Sequence, residues 1–258
     1  MNNLKRKLFV AVLSTFVTGS AAAVPFYWTD WTGSDSDPGT GFQGQGTITT
    51  PTSTVAVTYT NANGIGFYQP SGGTDWWVNQ GGGRNDAISP YTSSVVDNSP
   101  TGTDIVALSH AGSQTLQFSQ AIANPVFAFV SLNSNGYAFL NQDFDVLSVG
   151  GVDGNACGYW GCGGVTKVVT DLGGGNFMYA LNSSNVGGSE PHGTIRFTGA
   201  FDSLTWISSS NEFWNGFTVG VEGTADEVFP PNGIPEPATL ALMGFGLVGL
   251  GALRRRKS

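Results

Sequence analysis

The chain has 258 residues, of which 11% are charged and 38 are glycine; an ordinary soluble domain has about 25% charged residues and about 7% glycine. This composition excludes a long coiled coil, and the glycines lack the strict third-position period of collagen. The net charge is −8, yet residues 24–233 hold only Arg84, Lys167 and Arg196 against 17 acidic residues, a local −14 that repels phosphate backbones and excludes a nucleic-acid partner. Seven Trp, seven Tyr and 17 Phe supply the apolar bulk for a core.

The chain opens with Lys5, Arg6 and Lys7, then a short apolar run over Leu8–Val17, then Gly19-Ser-Ala-Ala-Ala23. A basic region, a short apolar stretch and small residues at Ala21 and Ala23 predict a secretory signal peptide over residues 1–23, cut after Ala23. The run is short for a permanent span. Residues 24–222 read as one β-rich domain. Within it, residues 33–46 are rich in Gly, Ser and Asp and read as a loop or a sheet edge.

Strand-like runs follow at 54–60, 104–108, 115–118, 126–132, 144–149, 165–169, 176–181, 194–197, 203–207 and 213–221, punctuated by Gly, Asn, Ser, Asp and Pro. No stretch within residues 24–233 keeps a 3.6-residue apolar period beyond about two turns. The expected architecture is all-β, a two-sheet antiparallel sandwich of jelly-roll type, because a single open sheet would expose long edges. Residues 223–234 read as a linker.

The tail has three parts. Pro235-Glu236-Pro237 comes first, then the uncharged run Ala238–Leu253, then Arg254, Arg255, Arg256 and Lys257. As a transmembrane helix, 238–253 is about 24 Å long, slightly short of a ~30 Å hydrocarbon core. Pro237 suits a first helical turn, and the basic cluster stays cytoplasmic by the positive-inside rule. A chain exported at one end and stopped at the other leaves its middle outside, tethered to the membrane.

Residues 235–258, with these three parts in this order, resemble the PEP-CTERM sorting signal. The resemblance implies an exosortase partner, a membrane-embedded cysteine protease-transpeptidase, acting near Pro235-Glu236-Pro237. It also implies a Gram-negative-type bacterium whose surface carries exopolysaccharide, with delivery to that surface or to a biofilm matrix. The family is defined by its tail, so it names a destination and no chemistry. The stretches LQFSQAIANPVFAFVSL and FDSLTWISSSNEFWNGFTVGVEG also resemble other secreted proteins with this tail, which implies a β-sandwich and no activity.

Inside the domain, Cys157 and Cys162 are the only cysteines. In an oxidising compartment they predict a disulfide that closes a small loop carrying Tyr159 and Trp160. Four intervening residues, not two, argue against a redox dithiol. Zinc would need two further nitrogen or sulfur ligands, and only His110 and His192 exist. No metal site and no catalytic residue is assigned. Asp35 and Asp37 could offer oxygens to calcium, without the glycine and closing glutamate of an EF-hand loop; no other cofactor is expected.

A glycosidase needs two carboxylates at a defined separation. Glu190, Glu212 and Glu222, and Asp143 with Asp145 on one strand face, are the available acids; they read first as solvated surface groups. The strongest ligand signal is Trp76-Trp77 beside Asn79, Gln80 and three glycines. In a strand one ring faces out when its neighbour faces in. An exposed Trp beside amides can stack a sugar ring and hydrogen-bond its hydroxyls. Trp76, Trp77, Tyr159 and Trp160 form the expected ligand-binding set. The expected role is structural or adhesive within an extracellular polysaccharide layer, with a carbohydrate-binding module and a secreted glycan-active hydrolase as alternatives.

Overall fold

A computed structural model describes residues 23–37, 41–133, 135–184 and 188–230, without the side chains of residues 35–37. Ala21, the carboxylates of Asp35 and Asp37, Pro235, Glu236 and Pro237, the expected helix 238–253 and Arg254, Arg255, Arg256 and Lys257 therefore lie outside the described residues.

The first half of the chain forms β1 (Tyr27–Trp28), β2 (Asp30–Asp37), β3 (Gly41–Thr49), β4 (Thr54–Asn61), β5 (Phe67–Gln69), β6 (Ile105–Leu108), β7 (Gly112–Ala123) and β8 (Val126–Val130). The second half forms β9 (Gly136–Leu140), β10 (Phe144–Val149), β11 (Gly164–Gly173), β12 (Asn176–Ser184), β13 (Gly193–Phe197), β14 (Ala200–Ser208), β15 (Asn215–Val221), β16 (Gly223–Thr224) and a single helical turn, α1 (Ala225–Val228). All pairs between these strands are antiparallel, and one isolated bridge, Val24 to Val96, is parallel. One sheet runs β10-β13-β8-β15-β6-β5, with β1 also on β15; the other runs β11-β12-β9-β14-β7-β4-β3-β2, with β16 also on β7. β6 pairs with β15, β7 with β14, β8 with β13 and β9 with β12. These nested pairs are dealt alternately to the two sheets, which is the winding of a jelly roll. It brings the β6–β7, β8–β9, β12–β13 and β14–β15 connections to one end of the sandwich.

Alternation sets the register of the strands with one wet face. In β4, Val55, Val57 and Tyr59 point inward and Thr54 and Ala56 outward. β8 and β15 are buried along their whole length. Their inner residues Phe127, Phe129, Phe217 and Val219 join the core between the sheets. Their other face is covered by the long connection from β5 to β6, where Trp77, Tyr91 and Val96 pack with Phe26, Trp28, Ile105, Val126, Ala128 and Val130 in a second core. Double coverage explains the unbroken apolar run of β8.

Several strands carry glycine for space rather than for flexibility. A Cβ at Gly46 in β3 would lie 2.7 Å from Thr29 Cγ2 and 3.1 Å from the Trp31 ring. The buried Trp31 indole packs against the bare backbone there.

The expected linker at 223–234 needs correction at its start. Gly223 and Thr224 pair with Ala123 and Ile122, so the sheet runs past residue 222. Thr224 and Glu227 then close a reciprocal capping box around α1. The Glu227 carboxylate also accepts from the Thr50 and Thr52 hydroxyls. The little burial Glu227 has would raise its pKa, but bonds from Thr52, the Thr224 N–H and Thr50 outweigh it and hold the carboxyl down at about 2. The box satisfies the Glu227 N–H, one of the orphan donors of the first turn, and the Thr50 and Thr52 bonds hold the polar, acidic segment onto the sandwich.

Candidate functional site: an aromatic platform at the loop end

Cys157 and Cys162 are bonded, with Cα atoms 4.7 Å apart. Inside the ring they close, Gly158 and Gly161 exchange two backbone hydrogen bonds of 3.2 and 3.0 Å. Tyr159 and Trp160 are thereby the two tip residues of a tight turn. Gly161 has φ +96°, which a side chain would resist. The turn is seated on His192. A Cβ on Gly158 would lie 2.3 Å from the His192 ring, so only glycine lets the loop sit this low. The Trp160 N–H donates to His192 Nε2 at 3.2 Å, which leaves the ring proton on Nδ1, 3.3 Å from the Tyr91 hydroxyl. Burial lowers the His192 pKa to about 3, so the ring is a neutral strut.

The platform has an exposed leading ring. Trp160 is 45% exposed and lies 6.3 Å from Trp76 at an interplanar angle of 25°. Tyr159 meets both edge-on, at 4.7 Å from Trp76 and 4.9 Å from Trp160. Half-buried Trp76 in turn packs edge-on against Trp214, and Trp214 against Phe67. Trp77 is elsewhere. It is fully buried in the second core, its Nε1 donates to the Asp104 carbonyl, and its ring meets Tyr91. Residues 76 and 77 lie in a turn, not a strand. The structure thus brings Trp76, Tyr159 and Trp160 together and removes Trp77 from the expected set.

Polar groups border the platform. The N–H of exposed Gln80 donates to the Cys157 carbonyl at 2.8 Å, while Asn79 is buried. The Glu190 N–H donates to the Trp160 carbonyl at 3.3 Å. The Glu190 carboxylate accepts from the Ser131 hydroxyl and from Asn133 Nδ2. Ser131 holds φ +60°, a conformation unusual for a residue with a side chain. A second acid, Glu212, stands on the β14–β15 connection two residues before Trp214. Burial raises its pKa to about 8; bonds from Asn135 and the Asn133 backbone pull it down, and the charge of Glu190 adds to the rise. Asn215 Nδ2 donates to Glu212, and the Tyr137 hydroxyl donates to Asn215. Two acids therefore share the loop end, and the Glu212 carboxyl is the one pushed up. Local sequence patterns place neither acid, nor Trp214 and His192, at the site. They are brought there by the winding, and the nearest sequence signal is the polar–aromatic run Asn211-Glu-Phe-Trp-Asn215.

The remaining candidates are dispersed. Asp143, just ahead of β10, pairs with Lys167, and Asp145 with Arg196 at 3.9 Å; both acids are largely exposed. Glu222 accepts from Asn124 at 3.2 Å. His110 is exposed. Among the described residues no three His, Cys, Asp or Glu side chains converge as a metal-binding group, and no helix is long and apolar enough to cross a membrane.

The destination of the domain is carried by the tail. Residues 233–257 match the model of the PEP-CTERM protein-sorting motif. The chain carries a PEP-CTERM tail. A PEP-CTERM tail marks its bearer as an exosortase substrate: the chain is exported, is held at the membrane as a precursor, and is delivered to the cell surface or beyond. No curated protein and no solved structure matches the chain.

Proposed function

We propose that this is a non-catalytic surface or matrix protein of a Gram-negative-type bacterium that adheres to exopolysaccharide through the platform of Trp76, Tyr159 and Trp160. The leader over residues 1–23 is removed on export, and exosortase acts near Pro235-Glu236-Pro237. The observation that carries the reading is the disulfide-closed turn, which spends two glycines and a buried histidine to present one indole to solvent. A saccharide ring stacks on Trp160 through its apolar C–H face, while Gln80 and the Glu190 segment lie within the same rim for hydroxyl contacts. Affinity electrophoresis in the producing organism's own exopolysaccharide tests this. The mature protein is retarded, and Trp160→Ala migrates as in a gel without polysaccharide. Retardation of Trp160→Ala equal to that of wild type removes the platform from the function.

The nearness of Glu190 to Glu212, whose carboxyl is pushed up by burial, favours a second reading, a glycan hydrolase, because glycosidases divide acid and carboxylate roles between two such groups. Release of new reducing ends from the same polysaccharide, lost in Glu212→Gln, would select it over the adhesive reading.

A further inference from the structure

The two sheets end in four strands, and three of these edges are blunted against pairing. β5 is three residues long. β10 is broken by an irregularity between Val146 and Ser148. β2 carries Asp30, Asp35 and Asp37 and is broken between Trp31 and Gly33. The fourth edge, β11, spans ten residues as Gly-Val-Thr-Lys-Val-Val-Thr-Asp-Leu-Gly and keeps regular register with β12 as far as Asp171. It has no proline, four β-branched or aliphatic positions in its centre, and one charge of each sign. Val168, Val169 and Leu172 are 43%, 52% and 54% exposed. Among the described residues no strand pairs with its outer side, and its Lys167 side chain alone reaches across to Asp143 and Phe144 beside it. Such an edge is a template for another strand.

We propose that the β11 edge is a self-association surface, and that its occupant is the β11 strand of a second copy, antiparallel about a two-fold axis through Val169. The charges select both partner and register. A two-fold axis perpendicular to the sheet keeps each residue on its own face, so the axis must pass through a residue. Centred on Lys167 or on Asp171, the pairing sets like charge against like. Centred on Val169, it sets Lys167, whose ammonium already reaches Asp143 and the Phe144 carbonyl of its own chain, opposite Asp171 twice, Thr166 opposite Leu172 and Val168 opposite Thr170. The strand is its own complement in that register alone. The outer-face row Val168, Ala180, Ala138 and Ile207, aligned across β11, β12, β9 and β14, would then continue into the second copy as one sheet surface. The acidic remainder of the domain repels other copies and so leaves this nearly neutral edge as the point of approach.

Cysteine trapping on the full chain, produced with its leader and tail in exporting cells, tests both partner and register. Val169→Cys meets its own copy at about 4.5–5.5 Å between Cα atoms, within disulfide reach. Exposed Thr166→Cys is displaced from its copy by six residues, about 20 Å, and is out of reach. The expected result is a non-reducing band at twice the chain mass for Val169→Cys and not for Thr166→Cys. Adding Asp171→Lys, which opposes lysine to lysine, should reduce that band at least fivefold. Equal trapping of the two cysteines, a trapped band of another mass, or indifference to Asp171→Lys would overturn the proposal. Sedimentation of the otherwise wild-type Asp171→Lys chain in detergent tests the same pairing without an added cysteine: it must sediment as a smaller species than wild type, and equal sedimentation would overturn the proposal as well.

Discussion

The protein builds two aromatic clusters from the same residue types and uses them oppositely. Between the sheets, Tyr59, Phe127, Tyr137, Trp206 and Phe217 are sealed from solvent, with Phe127 and Phe217 stacked at 4.7 Å and 12° and Trp206 edge-on to Phe217 at 5.2 Å. At the loop end, Trp76, Tyr159, Trp160 and Trp214 contact one another at similar distances, but the leading ring faces water. What differs is the support. Core rings are fixed by strand pairing and by one another. The platform is fixed by a disulfide, two glycines and His192. Aromatic content alone therefore says little about binding; the backing of the exposed ring says more.

Substitutions separate the two clusters. The largest effect belongs to the core. Trp206→Ala removes a fully buried indole touching Tyr59, Phe127, Tyr137 and Phe217. It should cost about 3–5 kcal/mol and lower the melting temperature by about 10 °C. Replacing Cys157 and Cys162 together by alanine should cost about 2 kcal/mol by thermal or denaturant unfolding, because the closed loop is short. It should weaken polysaccharide retardation as well, which the core substitution does only by unfolding.

The third test is a pH scan. Glu212 is raised from 4.5 to about 8 in the folded chain, so its contribution is complete below the ordinary carboxyl pKa and is lost as pH rises through about 8. The wild-type melting temperature should fall from pH 5 to pH 9 more steeply than that of Glu212→Gln. Parallel curves would mean that Glu212 is ionised in the native state. The smallest stability change belongs to Trp160→Ala, within about 0.5 kcal/mol, since nearly half of the side chain is already in water. A large loss of stability there would make Trp160 a core residue after all and erase the contrast.

The alternating and apolar runs of β4, β8, β10, β12, β13, β14 and β15 are legible in the sequence because their spacing and turn residues follow the physics of half-buried or doubly buried strands. β3 is not. Its sequence, Gly-Phe-Gln-Gly-Gln-Gly-Thr-Ile-Thr, imitates a loop, and its glycines make sense only once the Trp31 and Phe42 rings that lie over them are in place. β9 escapes for a related reason, since Gly136 and Ala138 break the apolar count of a strand that still buries Tyr137 and Phe139. At the site, the disulfide and its two aromatic tip residues can be read locally. The union of Trp76 with residues 83 and 84 positions later, and of Glu190 with Glu212, is a product of nested strand pairing that no local pattern carries. Alternation misplaces Trp77 because it presupposes a strand where the chain turns.

The capped turn α1 acquires a mechanical meaning from the tail that follows it. Force applied to the protein through its C-terminal attachment enters the described domain at Pro230. It meets first the Thr224–Glu227 box and the Thr50 and Thr52 bonds to Glu227, then the pairing of β16 with β7 near the middle of the larger sheet. A tug is thus shared with the β3–β4 turn before it reaches any strand that shapes the loop end.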